Sequence, residues 1–190
     1  MTTCVFITGT NCSGKSTIAR ALIERFGGIK KIENNVTYTV DGGLCLAGSY
    51  RSERYGGVDA LKADDGKKSG TKKLADAVSE GLKYADAIVC EGSYMNTFGI
   101  NLTNALFLAD RHLVVNIYAP PTVIYSRLTK RSNGQNNSGT RNYERIFYKQ
   151  RQAMVAARKF KQIGVKVLQY DTSVTDAGKI AQDIIDFIQC

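Results

Sequence analysis

From Gly9 to Thr17 the chain reads Gly9-Thr10-Asn11-Cys12-Ser13-Gly14-Lys15-Ser16-Thr17. Glycines five residues apart, then a lysine and a hydroxyl, are what gripping a polyphosphate requires. The glycines let the backbone curl until successive N–H groups point into one hollow, where they meet anionic oxygens. Lys15 brings a point charge to the outer phosphates, and the Ser16 hydroxyl is a ligand for Mg²⁺. A helix starting at this point adds the positive end of its dipole. The nine residues therefore predict a nucleotide-phosphate site, with ATP and Mg²⁺ as the bound species.

Further chemistry lies downstream. Glu91 closes the apolar run Ala87-Ile88-Val89-Cys90 and precedes Gly92. A carboxylate at the carboxyl end of a buried strand can hold Mg²⁺, directly or through water, or orient an acceptor hydroxyl. The segment from Ala47 to Leu61 gathers Tyr50, Arg51, Arg54, Tyr55 and Asp59 around glycines. Asp59 is the first candidate for a general base, and Asp41 the second. Asp41-Gly42 also suits a tight turn, so its residue types favour turn chemistry. Tyr50 and Tyr55 offer aromatic faces for a base, packing being the alternative reading. Arg51 and Arg54 join them as substrate-binding candidates. Arg127, Arg131 and Arg141 flank a polar, glycine-bearing stretch. Guanidinium groups there can stabilise the charge spread over a phosphoryl group in transfer.

Positioning these groups falls to alternating strands and helices. Cys4-Val5-Phe6-Ile7 predicts a buried strand leading into the loop. Ile18, Ala19, Leu22, Ile23 and Phe26 predict the helix leaving it, stopped by Gly27-Gly28. Val36 to Val40 and Leu44 to Leu46 flank Asp41-Gly42-Gly43 and predict a hairpin. Helices follow over about 72–85, 101–109 and 122–130, and a long one starts at Asn142 with Tyr143, Ile146, Phe147, Met154, Ala157 and Phe160 inward. His112 to Ala119 and Val165 to Tyr170 complete the core strands, and a last helix follows from Ala177. The pattern predicts an α/β fold, a three-layer α/β/α sandwich around a mainly parallel five-stranded sheet with a small hairpin insertion, as a single domain over 1–190.

Composition limits the alternatives. The chain of 190 residues carries five cysteines with no C-x-x-C pair, which argues against a zinc site or a disulfide scaffold. No apolar stretch reaches the roughly 18 residues of a membrane helix, and no leader-like N-terminus is evident, so a cytoplasmic protein without a membrane partner is expected. The single histidine, His112, opens a strand with no nucleophile near it in sequence, which argues against histidine-dependent catalysis. The whole formal charge of +9 is concentrated between Arg127 and Lys161, where ten basic residues meet one acid, Glu144. A one-signed stretch of this kind looks like a phosphate-facing surface, an ordinary solvated helix face being the alternative.

The loop GTNCSGKST, the segment AGSYRSERYGGVDAL, the strand end IVCEGS and the stretch RLTKR together resemble bacteriophage-type P-loop kinases, most nearly those that phosphorylate 5-hydroxymethyl-2′-deoxyuridine within DNA. Glu91 departs from the aspartate of many P-loop ATPases and is similar to the strand ending of uridine-kinase-like enzymes. The resemblance implies transfer of the ATP γ-phosphate to the 5-hydroxymethyl group of 5-hydroxymethyluracil during thymidine hypermodification, in a host cytoplasm. It also implies a lid over about 127–145 whose arginines close on the phosphates. The residues themselves imply only an alcohol acceptor. A free nucleoside, nucleotide or small alcohol remains open, as does ATP hydrolysis by a nucleic-acid-binding module.

Overall fold

A computed structural model describes residues 1–51, 57–58, 61, 70–131 and 143–190. Its centre is β1 (Thr3–Thr8), six residues that are all buried. The strand pairs in parallel with β5 (Ala87–Glu91) on one side and β6 (Arg111–Tyr118) on the other. A strand enclosed on both edges and both faces must be apolar throughout, which is why this one lacks the polar alternation of a surface strand.

Outward from β5 lie β4 (Leu44–Ala47), parallel to it, then β3 (Val36–Thr39) and β2 (Ile29–Glu33), both antiparallel. Outward from β6 lies β7 (Lys166–Asp171), again parallel. The order is β2-β3-β4-β5-β1-β6-β7, so the sheet has seven strands rather than the expected five. Five of them, β4 to β7 through β1, form the parallel core. The predicted hairpin is present as β3 and β4, but it is no peripheral insertion, because β4 is itself a core strand.

The missed strand, β2, reads Ile-Lys-Lys-Ile-Glu and is largely exposed. Lysines on an outer strand block edge-to-edge pairing, at the cost of the hydrophobic signal by which strands are recognised. Its turn is made by Asn34 and Asn35, both at positive φ (49° and 63°). Asparagine tolerates this left-handed region, and two such residues in succession give a tight hairpin turn. At the other edge, β7 is half-exposed and not the core strand expected from its sequence.

Because side chains alternate along a strand, β1 feeds two separate cores. Cys4 and Phe6 face α2 (Gly70–Gly81), α3 (Ile100–Leu106) and α5 (Tyr143–Gln162). Val5 and Ile7 face α1 (Lys15–Arg25) and α6 (Ala177–Gln189). The three-layer arrangement follows from this period of two. Pro121 opens α4 (Pro121–Arg131) as well as ending the preceding strand; it stands at the first helical position, where a missing N–H costs nothing. No helix among the described residues is long and apolar enough to cross a membrane.

The inward stripe of α5 also differs from expectation. Phe147 and Met154 are exposed, and Ile146, Ala153, Ala156, Ala157 and Phe160 pack inward. Alanines let the helix sit close to the sheet, and counting only large apolar residues overlooks them. Phe160 is fully buried, edge-on to both Phe6 and Phe98 at centroid distances of 6.2 and 5.1 Å. Phe160→Ala should lower unfolding free energy by about 3–5 kcal/mol. Urea titration followed by circular dichroism measures it, and a loss below about 1 kcal/mol would show that this face tolerates a void.

Candidate active site

In an open parallel sheet the strand order reverses at one point, and ligands collect beyond the carboxyl ends of the strands there. Here the reversal occurs at β1, between β5 and β6. The residues leaving β1 are the glycine-rich loop. Gly9 takes φ 149°, Cys12 57° and Gly14 105°. A Cβ at Gly9 would stand 2.6 Å from the Ile117 carbonyl oxygen, so this position has no room for a side chain. Gly14 precedes α1 and has no side chain to cap it, leaving the first-turn N–H groups directed at the hollow.

Side chains from the rest of the fold hold the loop in shape. Ser13 Oγ donates to the Thr10 carbonyl at 2.7 Å. Asn96, in the 3₁₀ turn Ser93–Asn96 after β5, holds both main-chain groups of Gly9. Its Oδ1 accepts from the Gly9 N–H at 2.8 Å, and its Nδ2 donates to the Gly9 carbonyl at 3.0 Å. On the opposite side, Thr172 after β7 donates to the Ser13 carbonyl at 2.8 Å. Lys15 is buried to 7 % exposure and its ammonium donates to the Gly9 and Thr10 carbonyls, each at 2.8 Å. The loop thus encloses its own cation, at the place where phosphate charge must be met.

Glu91 is 2 % exposed. The parallel register sets it beside Ile7, immediately before the loop, and there it meets α1. Its Oε1 accepts from Ser16 Oγ at 3.0 Å and from the Tyr50 hydroxyl at 3.3 Å. A hydroxyl and a carboxylate side by side form a hard oxygen donor set, suited to a divalent cation. The Thr10 hydroxyl is buried with no hydrogen-bond partner among the described residues. A buried hydroxyl in a phosphate-binding loop fits an incoming polar ligand, since leaving it unpaired carries a desolvation penalty. These residues fit a nucleotide polyphosphate and Mg²⁺.

The stacking role expected of Tyr50 does not fit. The ring is 2 % exposed and lies in the core under α1, with the Arg20 guanidinium 5.9 Å from its centroid. Burial and the neighbouring Glu91 hold its phenol well above the ordinary range, so it remains a hydrogen-bond donor to that carboxylate. Tyr50 positions Glu91.

Asp41 is excluded as well. It precedes β4 at the amino edge of the sheet and its N–H donates to the Phe26 carbonyl at the end of α1. A strand of six residues at about 3.3 Å each separates this edge from the loop. Arg51 follows β4 at the carboxyl edge and is exposed. Arg54, Tyr55, Asp59, Arg141 and most of the expected lid lie outside the described residues. Gly57 is described, and it stands against the Glu91 carboxylate: a Cβ there would be 2.5 Å from Oε1.

Arg127 is committed to the protein itself. Its guanidinium donates to the Thr172 carbonyl at 2.6 Å, to Thr172 Oγ1 at 3.0 Å and to the Cys12 carbonyl at 3.4 Å. It ties α4 to the loop and to the residue that follows β7, in place of the free lid arginine expected. One helical turn on, Arg131 joins it in lining a cavity of about 480 Å³. Cys12, Thr17, Thr172 and Asp176 line the remainder, next to the loop and outside α1. Asn96 and Thr172 were not identified from sequence. The position of Thr172 just past a parallel strand was a usable signal; nothing local marks Asn96.

No family model matches the chain, and no curated protein does. Among solved structures it is similar to the YorR protein of Bacillus subtilis in complex with phosphorylated GDP, at 19% identity over 98% of this chain and 96% of that one, TM-score 0.56. It is similar to a sugar kinase from a Janibacter species at 15% identity, covering 100% and 95%, TM-score 0.57. It is also similar to shikimate kinase from Acinetobacter baumannii in complex with shikimate, at 18% identity, covering 100% and 94%, TM-score 0.52. At such identities the likeness establishes the fold alone, an α/β sandwich around a mainly parallel sheet.

Tyr50→Phe should raise the Mg²⁺ concentration needed for half-maximal nucleotide binding about tenfold or more, since a hydrogen bond to a charged carboxylate such as Glu91 is worth about 1.5–3 kcal/mol. Titration with a fluorescent ATP analogue reads it; an unchanged metal requirement would make the bond a packing detail. Asn96→Ala should weaken the same analogue at least tenfold while the melting temperature shifts by only a few degrees, and equal affinity would show that the loop holds its shape alone.

Proposed function

We propose that this chain is an ATP-dependent phosphotransferase that delivers the γ-phosphate to a hydroxyl. The observation that carries this reading is the group formed by Lys15, Ser16, Glu91 and Tyr50 beneath a loop pinned by Asn96. The cavity between Arg127, Arg131 and the start of α6 lies beside the loop and suits the base and ribose. In the reaction the acceptor oxygen forms a bond to the γ-phosphorus, the bond from that phosphorus to the β–γ bridging oxygen breaks, and ADP departs. The acceptor proton passes to a base or to solvent. Asp59 suits that role, two residues beyond Gly57, which stands against Glu91. Ser16 and Glu91 would hold Mg²⁺, which would supply positive charge to the phosphoryl oxygens. Lys15 supplies more of the same, preorganised and withdrawn from water, where it acts with least screening.

For the acceptor we propose the 5-hydroxymethyl group of 5-hydroxymethyluracil in DNA. The motif resemblance supports it, and so does the concentration of basic residues between Arg127 and Lys161. A free alcohol, nucleoside or nucleotide is the second reading. It is favoured by the solved structures of similar fold, among them a sugar kinase and a shikimate kinase holding shikimate. ATP hydrolysis without an acceptor is the third.

Incubation with γ-labelled ATP and a panel of modified DNA, plain DNA and free nucleosides separates the three. Label on modified DNA alone is the expected result; label on a free nucleoside would establish the second reading, and phosphate released with no labelled acceptor the third. Lys15→Ala should reduce turnover by about 10²–10³ or more. Retention of most activity would refute the roles given to the loop. Glu91→Gln should raise the Mg²⁺ requirement of the reaction, and an unchanged metal dependence would demote Glu91 to a structural part.

A further inference from the structure

The outer face of α5 is more than a solvated basic helix. Tyr148, Gln152, Val155 and Lys159 recur at helical spacing on one side of it, with Arg151 alongside. Together with Asn96, Thr97 and Phe98 across from them, they line a groove of about 310 Å³. That volume is at the small end of the range in which proteins hold ligands. Tyr148 is 62 % exposed, and the Gln152 side-chain amide donates to its hydroxyl at 3.0 Å, which fixes the ring against the helix. Phe98 is held from behind by Phe160, and the Lys159 ammonium lies 5.6 Å from its ring centroid. The groove therefore has an aromatic surface on each wall, with the Lys159 ammonium near Phe98 and Arg151 in the same lining.

We infer that this groove is a docking site for an unpaired nucleic-acid strand, with a base laid between Tyr148 and Phe98 and its phosphates met by Arg151 and Lys159. The inference rests on the DNA-acceptor reading above and gives it a surface. Charge complementarity favours a polymer over a single nucleotide. From Arg145 to Lys161 the helix carries six basic residues and no acid, a run of about 24 Å at 1.5 Å per residue. With no acid interleaved, the helix offers cations along most of its length, which a chain of phosphates can use and a single nucleotide does not need. Stacking favours an unpaired strand over a duplex, because only unpaired bases expose their faces. An acidic peptide would satisfy the cations and leave the aromatic walls unused.

The groove is also wired to the reaction centre. Asn96 is part of its wall and is the same residue that holds both main-chain groups of Gly9. A strand lying along α5 is thus one side chain away from the phosphate-binding loop.

The test is fluorescence anisotropy with a labelled oligothymidylate of about ten nucleotides, without ATP, over a range of salt. Tyr148→Ala should weaken binding about fivefold to a hundredfold, the usual loss for one stacked base. Arg151→Ala with Lys159→Ala should reduce the log–log salt slope by about 1.4, at about 0.7 per single-strand phosphate contact. An abasic strand of equal length should bind the wild type as weakly as the oligonucleotide binds the tyrosine variant. Wild-type affinity in either variant, or equal binding of the abasic strand or of polyglutamate, would overturn the inference. Melting temperature and affinity for an ATP analogue, measured on the same samples, should match the wild type in both variants. Loss of ATP binding in the wild type itself would defeat the kinase reading separately, since the strand-binding measurement uses no ATP.

Discussion

A buried carboxylate is the constraint around which this molecule is arranged. Glu91 sits at 2 % exposure in a protein interior, where an ionised group is unstable without polar partners. Ser16 in α1 and Tyr50 after β4 supply hydrogen bonds, and the parallel pairing of β5 with β1 on one side and β4 on the other brings the three together. The same pairing puts the phosphate-binding loop beside that carboxylate. Moving β5 by one residue would turn Glu91 to the opposite face of the sheet and separate it from α1.

Polarity is graded along the strands. Toward the amino edge the interior is apolar on both faces, filled by residues such as Cys4, Val5, Ile88 and Leu113. Toward the carboxyl edge buried polar groups accumulate: Thr8, Thr10, Ser13, Glu91, Asn96 and Asn116. Thr8 donates to the Asn116 carbonyl oxygen at 3.0 Å, Asn96 holds Gly9, and Arg127 holds Thr172 and the Cys12 carbonyl. Contacts of this kind hold the loop in shape, while the Thr10 hydroxyl and the Asn116 amide nitrogen have no partner among the described residues. The hydrophobic part of the sheet acts as the anvil on which this polar end is set.

The readings that succeeded and those that failed divide by range. The loop motif, the β1 strand, the alternation into three layers and the place of Glu91 were legible, because each depends on residues within a few positions or on a strand's carboxyl end. Tyr50 was misread because an aromatic in a glycine-rich segment can equally stack on a base or fill a core, and only the packing of α1 distinguishes them. Arg127 was misread because its partners are Cys12 and Thr172, more than forty residues away on either side. The inward stripe of α5 was drawn through Phe147 and Met154, since alanines give too weak a hydrophobic signal to mark a face.

Local chemistry in the chain therefore dictated where the glycine-rich loop would form and that a parallel sheet would carry it. Those outcomes depend on backbone freedom at glycines, on helix dipoles and on side-chain alternation, all of which act over a few residues. Which hydroxyls hold Glu91, what pins Gly9, and which arginine is a strut instead of a lid were decided only on folding. Each is a meeting of segments distant in sequence, set by strand register and helix packing, and no spacing rule along the chain encodes it.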